Sequence, residues 1–200
     1  MTLLSRRSTL ALVLGMAATP ALAQIDTSRA SAFIQAAGTE LVGVINNTAM
    51  SADQRRSKVA DILRRSVDIE GVARFVMGRF WRQASPQEQQ EFLSLFEESL
   101  VKNLASRFGE YQGVRFEMGR SQSRTDDDAL VSTIVTRPGS AAFNLDWRIS
   151  DVGGQPRIVD LIAEGTSLRL TTRSEYASVI QRGNGQVSAL ITALRRQLGR

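Results

Sequence analysis

Asp160 and Glu164 are the first candidates for chemistry, because two carboxylates four residues apart on a strand point to the same face and invite a general acid and base reading. A strand rises about 3.3 Å per residue, so the pair would stand roughly 13 Å apart, beyond the ~5 to 9.5 Å used in glycoside cleavage. Asp160 therefore reads as a partner for an arginine or a backbone donor, and Glu164-Gly165 as the turn into a following helix. Asp126-Asp127-Asp128 gathers three more carboxylates. It lacks the alternating spacing, internal glycine and distal glutamate of a calcium loop, so it reads as a solvated hairpin tip. Serines are plentiful, but the chain has no histidine and no cysteine to activate them or to serve as nucleophile. Lys58 and Lys102 are the only lysines, both fall in helical patterns, and neither sits in a serine–lysine motif. The usual ligands of zinc, haem and iron–sulfur clusters are also missing. The residues point to no enzyme, no metal and no cofactor.

Location is written at the start of the chain. Arg6 and Arg7 form a basic start, Leu10 to Ala18 is apolar apart from one glycine, and Ala21-Leu22-Ala23 offers small residues where a signal peptidase reads them. Residues 1–23 are expected to be removed, leaving 24–200 as one exported domain that begins at Gln24. Ser5-Arg6-Arg7-Ser8-Thr9-Leu10 also resembles a twin-arginine export signal, although paired arginines serve equally as an ordinary basic start. A bilayer span needs roughly 20 apolar residues, and no later segment approaches that. Loss of Arg6 and Arg7 lowers the formal charge from +5 to +3. Acids and bases alternate along the chain, whereas a nucleic-acid binder concentrates its basic residues, so no nucleic-acid partner is expected. Arg195, Arg196 and Arg200 cluster at the end, where cations suit a helix C-terminus.

The elements that would position these residues follow from periodicity and caps. Ser28 to Asn47 places Phe33, Ile34, Ala37, Leu41, Val44 and Ile45 on one helical face. Ser51 with Gln54 opens a second helix through Val59, Ile62 and Leu63, and Asp68 caps a third that carries Val72, Phe75 and Val76 up to Gly78. Ser85-Pro86-Gln87-Glu88 is the clearest start, with a serine cap, proline at the first helical position and glutamate closing the box. The long helix behind it, expected to stop at Gly109, presents Phe92, Phe96, Leu100 and Leu104 along one broad face.

The period then changes to two. Val114 to Gly119 alternates as a strand, a polar loop spans Ser121 to Asp128, and Ala129 to Arg137 is apolar enough for burial on both faces or a central place in the sheet. Ala141 to Ser150 alternates cleanly and Arg157 to Glu164 returns beside it, joined by short turns that favour antiparallel neighbours. Two helices end the chain, the first placing Leu168, Leu170, Tyr176, Val179 and Ile180 inward, the second Val187, Leu190, Ile191, Leu194 and Leu198. The fold class is α+β, with helices packed on one face of a four-stranded antiparallel meander. Composition alone favours a filled core over a hollow one and goes no further.

Four segments in order carry a resemblance. Residues 68–82 with their Gly78-Arg79-Phe80-Trp81-Arg82 connector, Ser85 to Phe96, Asp160-Leu161-Ile162-Ala163-Glu164-Gly165-Thr166-Ser167-Leu168 and Arg173-Ser174-Glu175-Tyr176 look like the MlaC or toluene-tolerance family. That resemblance implies a periplasmic phospholipid-binding protein, the auxiliary component of an ABC transport system that maintains outer-membrane lipid asymmetry. It further implies a curved sheet with an apolar cavity under the helices, and a shuttle between an outer-membrane lipoprotein complex and an inner-membrane ABC transporter with an MCE-domain subunit. On this reading Phe92, Phe96, Leu100 and Leu104 of the long helix and Val131, Phe143, Leu145, Trp147 and Ile149 of the sheet line the lipid site. Gln155-Pro156-Arg157 and Thr171-Thr172-Arg173 depart from the family pattern, and a related branch beside hopanoid synthesis leaves a sterol-like cargo open. The main rival is a periplasmic α+β enzyme using Asp160 or Glu164 as base, and the second is a purely structural adaptor of an envelope transporter.

Overall fold

A computed structural model describes residues 26–106, 111–125 and 127–200. The expected export leader and the helix stop expected at Gly109 both lie outside the described residues. Helix α1 (Thr27–Asn46) starts under Asp26, whose carboxylate accepts from the Ser28 amide. Helix α2 (Ala52–Ser66) opens on a complete capping box between Ser51 and Gln54. Helix α3 (Ile69–Met77) runs from the Asp68 cap to Gly78. Gly78 has φ 54° and ψ −127°, a conformation essentially reserved for glycine, and the Arg173 guanidinium fills the space a Cβ would need. The aromatic connector winds into a 3-10 helix, Gly78–Arg82. Helix α4 (Pro86–Ala105) follows with its predicted Ser85–Glu88 box intact.

The sheet has five antiparallel strands in chain order: β1 (Arg115–Thr125), β2 (Asp128–Thr136), β3 (Phe143–Val152), β4 (Gln155–Ala163) and β5 (Thr166–Ser167). The fifth, two residues long, pairs with the end of β4 and was missed because it is too short to show alternation. β1 also runs six residues further than its apolar alternation. As the edge strand it needs no apolar partners on its outer side, so the polar run read as a loop from Ser121 continues the ladder after an irregularity between Met118 and Ser121. β2 is central, yet it is not buried on both faces: Ile134 is 41% exposed, and Ala129, Val131, Thr133 and Val135 are buried on the other side.

Helices α5 (Leu168–Arg182) and α6 (Val187–Leu198) close the chain. Leu168 and Leu170 were expected inside but are 45% and 57% exposed. Residues two apart point to different sides of a helix, so Leu168 and Leu170 cannot both join Tyr176 and Ile180. α1 crosses the inner face of the sheet, and α4 packs chiefly against α6, α2 and α3. The apolar interior forms three clusters: one among the helices α3 to α6, the 3-10 segment and Ala84, one between α1 and the inner sheet face, and one between α1, α2 and that face. Arg195 and Arg200 of the terminal segment pair with Glu91 and Glu98 of α4; such exposed pairs contribute only about 0–1 kcal/mol each.

Candidate functional site

The inner face of β3 changes character along its length. Ile149 is 0% exposed, packed with Ala129, Val131 and Ile158 of the sheet under Ala30 and Ile34 of α1. Trp147, Leu145 and Phe143, two residues apart and on the same side, are each only half-buried. Across the ladder, Leu161 opposes Trp147 and Ala163 opposes Leu145, and both are half-buried too. Leu41 of α1, Leu63 of α2 and Leu104 of α4 pack against the same end and are likewise partly open. The result is an apolar strip that its neighbours cover incompletely, the kind of surface a hydrocarbon would complete.

A polar pair on this face is closed on itself. Trp147 Nε1 donates to Thr133 Oγ1 at 2.9 Å, and Thr133 Oγ1 donates to the Leu145 carbonyl at 3.2 Å. Neither polar atom is left to demand a partner from a ligand.

Of the nine residues expected to line a site, the structure brings Phe143, Leu145, Trp147 and Leu104 to this strip. Val131 and Ile149 adjoin it but are sealed under α1. Phe92, Phe96 and Leu100 depart from the expectation of a shared wall. The Phe92 and Phe96 rings stack at 5.7 Å, and both meet Tyr176 of α5 edge-on, inside the helical cluster. Burial pushes the Tyr176 phenol up to about 12, and its hydroxyl pairs with Ser99. Helical periodicity identified the apolar face of α4 correctly; what covers that face is decided by α5 and α6, about which the spacing within α4 says nothing. Leu41, Leu63 and Leu161 were not singled out as lining residues, and partial exposure is their only distinguishing signal.

The carboxylates form a different feature on the other side of the sheet. Asp160 Oδ1 accepts from the Leu161 amide at 2.9 Å and the Arg169 amide at 3.1 Å. Its Oδ2 accepts from Ser167 Oγ at 2.6 Å and lies 3.4 Å from Arg169 Nε. Burial raises its pKa above the ordinary value, against the opposing pull of Ser167, the Leu161 amide and the nearby Arg148 and Arg124. With both oxygens held by fixed donors, Asp160 is a remote cap for the first turn of α5. Glu164, exposed and at φ 47°, forms the turn with Gly165 and accepts from the Asn144 amide at 2.6 Å. Motif residues 160–168 are thus accounted for as a strand-to-helix joint.

Asp128 corrects the reading of the acidic tip. It is buried and paired to Arg148, with Arg124 at 4.0 Å, whereas Asp127 is exposed and accepts from Thr125 Oγ1 at 2.8 Å; Asp126 lies outside the described residues. Two surface clefts, one bordered by Arg56, Glu98 and Lys102 and one by Glu40, Lys58, Asp61, Arg64 and Arg65, contain none of the expected lining residues. Among the described residues no group of acids is arranged to hold a metal, and no helix is long and apolar enough to cross a membrane.

The sequence model of the MlaC protein family matches residues 35–196, which include every element from α2 to α5 whole and most of α1 and α6. The chain belongs to the MlaC family. It is also similar to the toluene tolerance protein ttg2D of Pseudomonas putida, 23% identical over 163 residues that cover 79% of this chain and 76% of that protein. A phospholipid-binding protein of Ralstonia solanacearum, solved in complex with a phospholipid, superposes with a TM-score of 0.74. At 23% identity, with 86% of this chain and 99% of that one covered, it shows that this MlaC-family chain has the same fold.

Proposed function

We propose that this protein is a soluble periplasmic lipid carrier that shuttles phospholipid between outer-membrane and inner-membrane transport complexes without a catalytic step. The observation that carries the reading is the half-buried inner face of Phe143, Leu145 and Trp147 beside Leu161, whose Phe143 and Leu145 end packs on the same cluster as Leu63 and Leu104. Each methylene moved from water onto such a surface contributes about 0.8 kcal/mol, so an acyl chain is held without any precise polar contact. Family membership and the phospholipid held by the Ralstonia relative support the cargo class. The basic and apolar leader ending at Ala23 supports the location.

Two tryptophan substitutions separate site from core. Val131 is enclosed by Ala30, Ile34 and Ile149, so Val131→Trp overpacks a solid cluster and is expected to cost about 1–3 kcal/mol. Leu145→Trp adds its bulk to the open strip and should leave the unfolding midpoint close to wild type. It should carry clearly less co-purified lipid and move labelled phospholipid poorly between vesicles. Loss of stability in Leu145→Trp with unchanged lipid content would place that residue in the ordinary core and remove the proposed site.

A further inference from the structure

We propose that Trp147 is the end-stop of the hydrocarbon site and sets which acyl-chain lengths it accepts; this rests on the carrier reading above. Trp147 stands where the inner face of β3 passes from half-buried to sealed, between Leu145 and Ile149. Beyond it lies continuous packing, because Ile149 and Val131 are closed under Ala30 and Ile34. The ladder places Val131 directly opposite Trp147 and Thr133 opposite Leu145, one pair nearer the open end. The 2.9 Å bond from Nε1 to Thr133 Oγ1 therefore runs diagonally and tilts the indole toward the open strip. Thr133 is fixed in turn by its bond to the Leu145 carbonyl. A side chain with two rotatable bonds, anchored at its far end, makes a rigid barrier. Both polar atoms of the clip are satisfied, so the barrier meets the chain end with carbon alone.

A chain entering along Phe143 and Leu145 thus ends against the indole. Removing the ring opens room for further methylenes, and each that finds cover shifts the long-to-short occupancy ratio about fourfold, equivalent to about 0.8 kcal/mol. Conversely, a chain too long for the site must leave its surplus methylenes in water.

The test loads purified full chain from vesicles containing equal amounts of a short-chain and a long-chain phosphatidylcholine, then weighs the extracted lipid by mass spectrometry. Wild type should favour the short chain, and Trp147→Ala should shift the ratio toward the long chain at least fourfold. Trp147→Phe, which keeps a ring but loses the anchor, and Thr133→Val, which removes the acceptor, should shift it in the same direction by less. If Trp147→Ala does not fold, those two variants decide by the same ratio. Variants that load lipid in the wild-type ratio overturn the end-stop while leaving the carrier reading intact. Wild type that loads neither lipid takes both down.

Discussion

Asp160→Ala is expected to destabilise the protein by about 3–5 kcal/mol, because it removes the anion from a pair in which both side chains are largely buried. The Arg169 guanidinium would lose the carboxylate it pairs with, and the amides of Leu161 and Arg169 would lose their acceptor. Asp160→Asn keeps an oxygen for the two amides but turns an NH2 group toward Ser167 and Arg169, so a smaller cost of roughly 1–2 kcal/mol is expected. Chemical denaturation measures both. Acid titration gives a second readout, because burial holds the folded carboxyl above the ordinary value of 3.8. Between that value and the higher folded one the unfolded chain has already released its proton while the folded chain retains it. Asp160 thus contributes a fall in stability as pH rises through that window and a level course above it. Asp160→Asn should lack this component. Neither variant should change lipid content per folded molecule, since a hydrocarbon offers nothing for a carboxylate to meet. A folded Asp160→Asn that had lost a chemical activity would favour the enzyme reading instead.

Phe92→Ala carries the other large effect. Phe92 is fully buried between Phe96 and Tyr176, so its truncation leaves a cavity in the helical cluster and should cost about 3–5 kcal/mol. Leu145→Ala, on the half-buried strip, should cost less and release more lipid. The comparison is made by thermal melting and lipid assay of the same preparations. Phe92→Ala that melted near wild type but emerged empty would return the aromatic face of α4 to the site.

Much of the fold was legible because caps and turns are local. Ser51 with Gln54, Ser85 with Glu88, Asp68 and Gly78 each mark a helix boundary through chemistry contained within a few residues. The joint at Asp160 was half legible: its role as a partner for arginine and backbone donors followed from residue type, whereas the identity of Arg169 depends on how α5 lands on β4. Alternation marked Phe143, Leu145, Trp147 and Ile149 as one face but made them equivalent. Only the tertiary packing, which closes Ile149 under Ala30 and Ile34 and leaves Leu145 half-buried, distinguishes a packed residue from a lining one. Arg148 fell on the wet side of β3 by the same alternation, yet it supplies the cation for buried Asp128. Long-range pairing of this kind leaves no periodic signature.

The incompletely covered strip of β3 is expected to carry phospholipid. Organic extraction of protein purified from the cell envelope, followed by mass spectrometry, tests it most directly. Stoichiometric phospholipid that disappears in Leu145→Trp while the protein stays folded is the expected result. Protein that is lipid-free as isolated, and that takes up no labelled phospholipid from vesicles, would show that the strip is not a lipid site.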